Sequence, residues 1–321
     1  MRVRWTAAVW ACAAWMFCMP AWAQYPDRPI RIIVPFPAGD GLDVQARLIG
    51  QKLSERLGQQ VVIDNKPGAG TLIGMDAAVK SPGDGYTIVL VTTTYAINPA
   101  LRDKVPYDPL KDFTPVIQST AIPLLVVASN GFAAQNFAEV LAMARKKPGE
   151  LTMGNSGLGT AAHIGMELLN TMAGVKFTHV PYKGIPPAMT DLISGRLQML
   201  CTSPAQVMGQ IREGKIKALV TTGARRMSQL PQVGTVREAG VAGYEVNAWV
   251  GYMVPSATPR EVVQRLNREM AAIITSPEIR DRLTADGSEV VANSPEAFAA
   301  HVRSEVDKWG QVIRAAGIKA E

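Results

Sequence analysis

The chain has 321 residues, of which 47% are apolar and 19% charged, and it carries a formal net charge of +6 at pH 7. That length accommodates two well-packed domains. The basic residues form no block and interleave with no aromatics, which excludes a nucleic-acid-binding protein, and no stretch beyond the first 23 residues approaches a membrane span.

Met1-Arg-Val-Arg4 gives a positive start, Trp5 to Met19 an apolar run, and Ala21-Trp-Ala23 a small-x-small site before Gln24. This is a secretory signal peptide over residues 1–23, cleaved after Ala23. Removal of Arg2 and Arg4 takes the charge from +6 to +4. Cys12 and Cys18 lie inside the leader, so Cys201 is left as the one cysteine and no intramolecular disulfide forms. Trp10 before Cys12 and Met16 before Cys18 spoil a lipoprotein site, so the reading is a soluble exported protein.

In the mature chain, Ile32 to Phe36 predicts a buried strand and Pro35 with Pro37 its stop. Gly39 and Gly41 allow a turn with amides free for a ligand, and Asp43 caps a helix on which Val44, Leu48, Ile49, Leu53 and Leu57 recur before Gly58. Strand, glycine turn and helix start make an anion site in outline, fit for a carboxylate. Val61 to Ile63 predicts a strand, and residues 65–74 a turn whose glycines miss the strict dinucleotide spacing, so no nicotinamide cofactor is expected. Tyr86 to Val91 predicts a buried parallel-type strand ending in a hydroxyl-rich loop, Thr92 to Pro99, at the carboxyl end where open α/β sheets bind ligands.

Two extended runs, Asp112 to Ser119 and Pro123 to Ser129, leave no room for a helix between them, so the chain crosses there from one sheet to another. The helix from Phe137 precedes a second strand, polar glycine turn and helix: Leu151 to Thr160, then Ile164, Leu168, Leu169 and Met172 on the apolar face. Two such turns in separate halves suggest a ligand clasped between them. Strands at 177–182, 197–201 and 217–222 alternate with helices, and Tyr244 to Val254 is a long strand carrying Trp249. Thr258-Pro-Arg-Glu261 reads as a capping box, and Ser276-Pro-Glu278 and Ser294-Pro-Glu296 open two more helices.

Val34-Pro-Phe-Pro-Ala-Gly39, Ala69-Gly70, Pro82-Gly-Asp-Gly-Tyr-Thr87, Asn98-Pro-Ala-Leu101, Asp112-Phe-Thr-Pro115, Val180-Pro-Tyr-Lys-Gly184, Leu230-Pro-Gln-Val233, Glu238-Ala-Gly240 and Lys308-Trp309 occur in fixed order. Together they resemble the Bug family of extracytoplasmic solute receptors, the TctC-type receptors of tripartite tricarboxylate transporters, over essentially all of the mature chain. The resemblance implies an α/β fold of the type II periplasmic binding protein kind, monomeric and located in the periplasm. Residues 24–123 with 226–321 would form one domain and 124–225 the other. It further implies a small carboxylate or related amide or aromatic acid as ligand and a tripartite tricarboxylate-type membrane permease as partner. From the spacing of its glycines, histidines and carboxylates the chain is expected to hold no cofactor or metal. Phe36, Pro37, Ala38, Gly39, Asp40, Gly41 and Asp43, with Thr92, Thr93 and Thr94, match the family's binding loops in the first domain. Asn155, Ser156, Gly157, Gly159, Thr160, His163, Tyr182 and Gly184 match those in the second. Asp40 stands where the family usually has glycine, Leu42 where a small hydroxyl residue is common, and Gln198 where aspartate is frequent. Asp40 either turns out to solvent or onto the helix start, or it accepts a hydrogen bond from an amide or ammonium on the ligand.

Two other functions compete. A hydrolase would use Ser156 as nucleophile and His163 as base, but Leu158 stands where the nucleophile elbow needs glycine, and no histidines and carboxylates show metal-ligand spacing. The expectation is therefore no enzyme. A ligand sensor for a signalling partner would use the same fold and the same site.

Overall fold

The computed structural model describes residues 25–285 and 287–319. The signal-peptide reading falls on residues outside these. No helix among the described residues is long and apolar enough to cross a membrane.

The opening unit is strand β1 (Ile30–Val34), a turn, and helix α1 (Gly41–Leu57). Pro35 has no N–H to donate, so the ladder stops at Val34, whose carbonyl still accepts from Lys66 N. The helix starts earlier than expected because Asp40, not Asp43, is its cap: the Asp40 side chain accepts from Leu42 N at 2.9 Å. Gly58 ends α1 at φ +69°, where a side chain would be strained. Strand β2 (Val61–Asn65), a 3₁₀ turn at Ala69–Thr71, helix α2 (Leu72–Val79) and strand β3 (Thr87–Thr92) follow.

Thr93–Leu101 is a helix, α3, and not the expected loop. Pro99 inside it cannot bond the Tyr95 carbonyl four residues back, and this breaker is what hid the helix. Tyr107 Oη donates to that carbonyl instead, at 2.9 Å, so the turn loses no satisfied group. Strand β4 (Phe113–Pro123) runs unbroken for 11 residues, and the break expected at 120–122 falls at Leu124, before β5 (Leu125–Ser129).

The rest alternates: α4 (Phe137–Lys146), β6 (Thr152–Asn155), α5 (Ala161–Ala173), β7 (Thr178–Pro181), α6 (Ile185–Ile193), β8 (Met199–Thr202), α7 (Met208–Arg212) and β9 (Ile216–Thr221). Then come β10 (Asn247–Pro255), α8 (Arg260–Ile274), α9 (Pro277–Thr284), β11 (Glu289–Val290) and α10 (Pro295–Ala316). At α8 the expected capping box does not form; Thr258 Oγ1 donates back to the Pro255 carbonyl at 2.7 Å and Pro259 takes the cap position.

Two sheets result, in two α/β domains. The first has strand order β11-β4-β10-β3-β1-β2 and the second β7-β6-β8-β5-β9. In the first, β10 is antiparallel to both β3 and β4, and β3 is parallel to β1, so β1, β3 and β4 all finish on one edge. One face of this sheet packs Ile32 and Val34 on Ile49 and Leu53 of α1 and Leu266 of α8. Its other face packs Ile33 and Val89 on Tyr95 of α3 and Trp309 of α10, and this core continues to Phe137, Met153 and Leu169 of the second domain. Each such fully buried aliphatic side chain contributes about 1.5–3 kcal/mol. The chain leaves the first sheet at Leu124 and returns to it after Val246, and both joins lie beside Thr222, just after β9: Leu124 N donates to Thr222 Oγ1 at 2.8 Å, and Thr222 Oγ1 donates to the Val246 carbonyl at 2.6 Å.

Candidate functional site

Off the edge where β1, β3 and β4 finish lies a cavity of about 800 Å³ whose wall also carries residues of the second domain. The first domain contributes Phe36, Asp40 and Gly41 from the opening turn and Thr92, Thr93 and Thr94 from the end of β3. From across the cleft come Ser156 and Thr160, the latter beside Ala161 and Ala162 at the start of α5.

Helix starts dominate this wall. Gly41 begins α1, Thr93 begins α3 with no side-chain cap, Ala161 begins α5, and Ser203 precedes a 3₁₀ turn at Pro204–Gln206. Amides left unbonded and the helix dipoles make the starts of α3 and α5 weakly positive, which favours an anion there, while at α1 the capping Asp40 carboxylate offsets the dipole. Hydroxyls fill the spaces between. Thr92 and Thr94 share a hydrogen bond of 2.7 Å, Thr93 Oγ1 accepts from Trp249 N at 3.0 Å, and Thr160 Oγ1 donates to the Gly157 carbonyl at 2.9 Å. Trp249 is 1% exposed and forms part of the wall; its Nε1 donates to Glu305, as does Trp309 Nε1.

The opening turn is less open to a ligand than its sequence suggested. Asp43 is buried, and its carboxylate accepts from Gly39 N at 2.8 Å, Arg47 Nε at 2.9 Å and Asn65 Nδ2 at 2.8 Å. Burial acts to raise its pKa, but the bonds from Arg47, Gly39 and Asn65 outweigh burial and hold it at about 2. With Leu42 N taken by Asp40, two amides of this turn already serve the chain's own carboxylates. Pro37, Ala38, Gly39 and Asp43 therefore shape the turn without forming the wall.

In the second domain, Asn155, Gly157, Gly159 and His163 support the loop from behind. Asn155 Oδ1 accepts from Gly157 N at 2.9 Å, and buried His163 accepts through Nδ1 from Gly159 N at 3.2 Å. Ser156 and His163 make no hydrogen bond to each other among the described residues. Tyr182 and Gly184 lie outside the wall. Tyr182 Oη donates to Asp191 at 2.9 Å and its ring joins a core of Ile185, Leu192 and Leu200, while Gly184 at φ +98° starts α6.

α5 and β7 bring donor atoms of His163, Glu167 and His179 within 4.8 Å of one another, a grouping that the linear spacing did not reveal. Hydrogen bonding accounts for it. His179 Nε2 lies 3.2 Å from Glu167 Oε1, Asn170 Nδ2 donates to Glu167 Oε2 at 3.0 Å, and His163 Nδ1 is engaged by Gly159. Burial holds both imidazoles at pKa values of about 4, with the neighbouring His179 a further cause for His163, so both are neutral at pH 7.

The sequence reading missed much of the wall. Val44 and Leu48 look like core positions of α1, yet they point into the cleft, and Val44 is 57% exposed. An apolar stripe too wide for one buried face was the available signal. Thr120 and Ile122 come from the end of β4 and Leu124 from just after it, Thr202 from the end of β8 and Gln206 from the turn that follows, and Arg282 with Leu283 from α9. For α9, more than 200 residues from the opening turn, no local pattern points here.

The sequence profile of the tripartite tricarboxylate transporter receptor family, TctC, matches residues 45–318. The protein BugT of Bordetella pertussis is 33% identical over 297 residues, covering 92% of this chain and 91% of BugT. A solved structure of R. palustris Rpa4515 with adipate is 37% identical, with a TM-score of 0.79 over 92% of this chain and 99% of that one. MatC (Rpa3494) from Rhodopseudomonas palustris with bound malate is 32% identical, with a TM-score of 0.75 over 90% of this chain and 100% of that one. The profile covers both sheets but for β1 and every segment of the cavity wall but the opening turn, and with the full-length matches in sequence and fold it shows that this chain belongs to the TctC family of tripartite tricarboxylate transporter receptors.

Proposed function

We propose that this protein is an extracytoplasmic, periplasmic solute receptor that closes two domains on a small carboxylate and delivers it, as a monomer, to a tripartite tricarboxylate-type membrane permease. One domain comprises residues 24–123 and 226–321, the other 124–225. The observation that carries the reading is the convergence of helix starts from both sheets, α1 and α3 on one side and α5 on the other, on one cavity with hydroxyls between them. Relatives of the same fold hold adipate and malate. Phe36, Asp40, Gly41, Thr92, Thr93, Thr94, Ser156 and Thr160 would meet the ligand directly, and the other loop residues would hold them in place. No catalysis is proposed, because Ser156 lacks the histidine contact that would activate it.

Three or four charge-assisted hydrogen bonds, less the costs of association, give dissociation constants of order micromolar. Trp249 in the wall supplies the test. Titration with adipate and with malate should change tryptophan emission saturably, and Trp249→Phe should remove most of the change. Absence of binding to every carboxylate tried, together with an uncharged ligand released from the purified protein on denaturation, would overturn the reading.

A further inference from the structure

Trp249 belongs to the cavity wall, yet it is 1% exposed, so the direction of its indole decides how much of the cavity a ligand can use. The sheet fixes its backbone. Trp249 pairs with Ala121 of β4, the next residue, Val250, pairs with Thr92 of β3, and Trp249 N donates to Thr93 Oγ1 at 3.0 Å, at the start of α3. None of these bonds fixes the side chain, which turns about torsions of its own.

The indole is held from behind by α10. Phe298, His301 and Glu305 follow one another at intervals of three and four residues and so share one face of that helix. The rings of Phe298 and His301 meet the indole edge to face, with centroids at 5.6 and 5.5 Å. Phe298 comes this close because Gly251, two residues along β10, has no side chain; a Cβ there would collide with the Phe298 ring. Glu305 completes the arrangement. Its Oε2 accepts from Trp249 Nε1 at 3.0 Å and from Trp309 Nε1 at 2.7 Å, and its Oε1 pairs with Lys308. Glu305 is 4% exposed. A leucine would fill similar space without burying a charge, so packing alone does not account for a carboxylate at this position. What the carboxylate adds is direction, an acceptor that the N–H end of the indole must face.

We propose that Glu305 is a positioning residue for ligand binding, which keeps the Trp249 indole drawn back from the space the ligand occupies. This rests on the receptor reading of the cavity. With α10 behind the indole, its open side is the cavity, and Glu305 is no part of the wall, so its effect on a ligand passes through Trp249. Without the carboxylate the indole N–H is a buried donor lacking a partner. Swinging into the cavity would return that N–H to water and place the indole where a ligand must displace it.

Trp249 and Trp309 are the only tryptophans after residue 23, so nitrogen–proton spectra of the full mature protein give two indole N–H signals, assigned with Trp249→Phe and Trp309→Phe. Glu305→Gln keeps an oxygen that accepts from the indole. Glu305→Asp keeps the charge but draws the oxygens back by one methylene, and Glu305→Leu removes the acceptor. Calorimetry with adipate and with malate should show affinity reduced tenfold or more in Glu305→Asp and Glu305→Leu, and within threefold of the unaltered protein in Glu305→Gln. The Trp249 signal should be displaced most in the two weak binders. A merely structural role would lower the melting temperature and leave the affinity of the folded protein unchanged. If Glu305→Leu does not fold, the comparison of Glu305→Asp with Glu305→Gln decides. Unaltered affinity in Glu305→Asp despite a displaced Trp249 signal overturns the proposal. So does an equal loss in Glu305→Gln and Glu305→Asp, which would deny that the placing of the acceptor matters. If the unaltered protein binds both acids and every Glu305 variant binds them alike, this inference alone falls; if it binds neither, the carboxylate reading of the cavity falls and this inference with it.

Discussion

Asp40 and Asp43 lie three residues apart in the turn after β1 and do different work. Asp40 caps α1 from the cavity side, and Asp43 ties Gly39, Arg47 and Asn65 together from behind. The sequence disclosed that an anion belongs in this turn, because glycines before a helix start leave amides unpaired. It did not disclose that the anion is a side chain of the chain itself, since Asn65 arrives from β2 and its reach depends on the sheet. Asp43→Asn keeps the shape but loses charge-assisted bonds inside the protein, and should cost about 2 kcal/mol at pH 7. The sign with pH follows from the depressed pKa: the stability due to Asp43 is present above its unfolded value near 4 and is lost as pH falls through its folded value of about 2. Urea unfolding of both proteins should therefore give curves that differ at pH 7 and converge toward pH 2. A constant difference across that range would show that the Asp43 charge contributes nothing.

At the scale of elements, the start of α5 joins binding loop and packing. Ser156 faces the cavity, whereas Thr160 caps the helix by accepting from His163 N. Ser156→Ala should thus leave the melting temperature nearly unchanged, while Thr160→Ala should cost about 1 kcal/mol by chemical denaturation. Equal effects of the two would remove the distinction. Gly159 has φ +75°, and a Cβ there would lie 2.3 Å from Leu101 Cδ2 of α3. Gly159→Ala should therefore displace the loop and weaken adipate binding by tenfold or more, measured by calorimetry, a backbone demand of the kind sequence shows only as an unexplained glycine. Behind this loop, His163 and His179 stay neutral in the folded state and titrate near 6.5 when unfolded. Folded pKa values below the unfolded ones mean that the stability is fully present above pH 6.5 and falls as pH drops toward 4. Each imidazole contributes up to about 1.4 kcal/mol per pH unit inside that window. Unfolding free energies at pH 7, 6 and 5 should trace this slope, and His179→Gln should flatten it; a slope unchanged by the substitution would refute the assignment.

For the molecule as a whole, the first crossing between sheets was legible because two extended runs with no helix between them cannot both belong to one simple α/β unit. The return crossing and its place beside the first were not legible. Leu124 is linked by a hydrogen bond to Thr222, 98 residues on, and Thr222 to Val246, a further 24 residues on, and a Cβ on Gly223 would lie 2.8 Å from Pro123 Cβ. These joins are short element-terminal segments, the kind of residues at which hinge closure takes place. The cavity wall above them draws on both domains, so a ligand bonded to Thr93 on one side and to the start of α5 on the other gains most when the walls approach. The rest of the interface opposes unlimited motion, because α10 packs on α3 and β4 of the first domain and on α5 of the second. The expected movement is accordingly a rotation about Leu124 and Thr222 with α10 as its stop. Small-angle scattering should record a smaller radius of gyration with saturating adipate than without it, and Gly159→Ala, which blocks the loop's approach to α3, should reduce that change. Identical scattering profiles for free and saturated protein would rule out closure and leave a preformed cavity as the binding state.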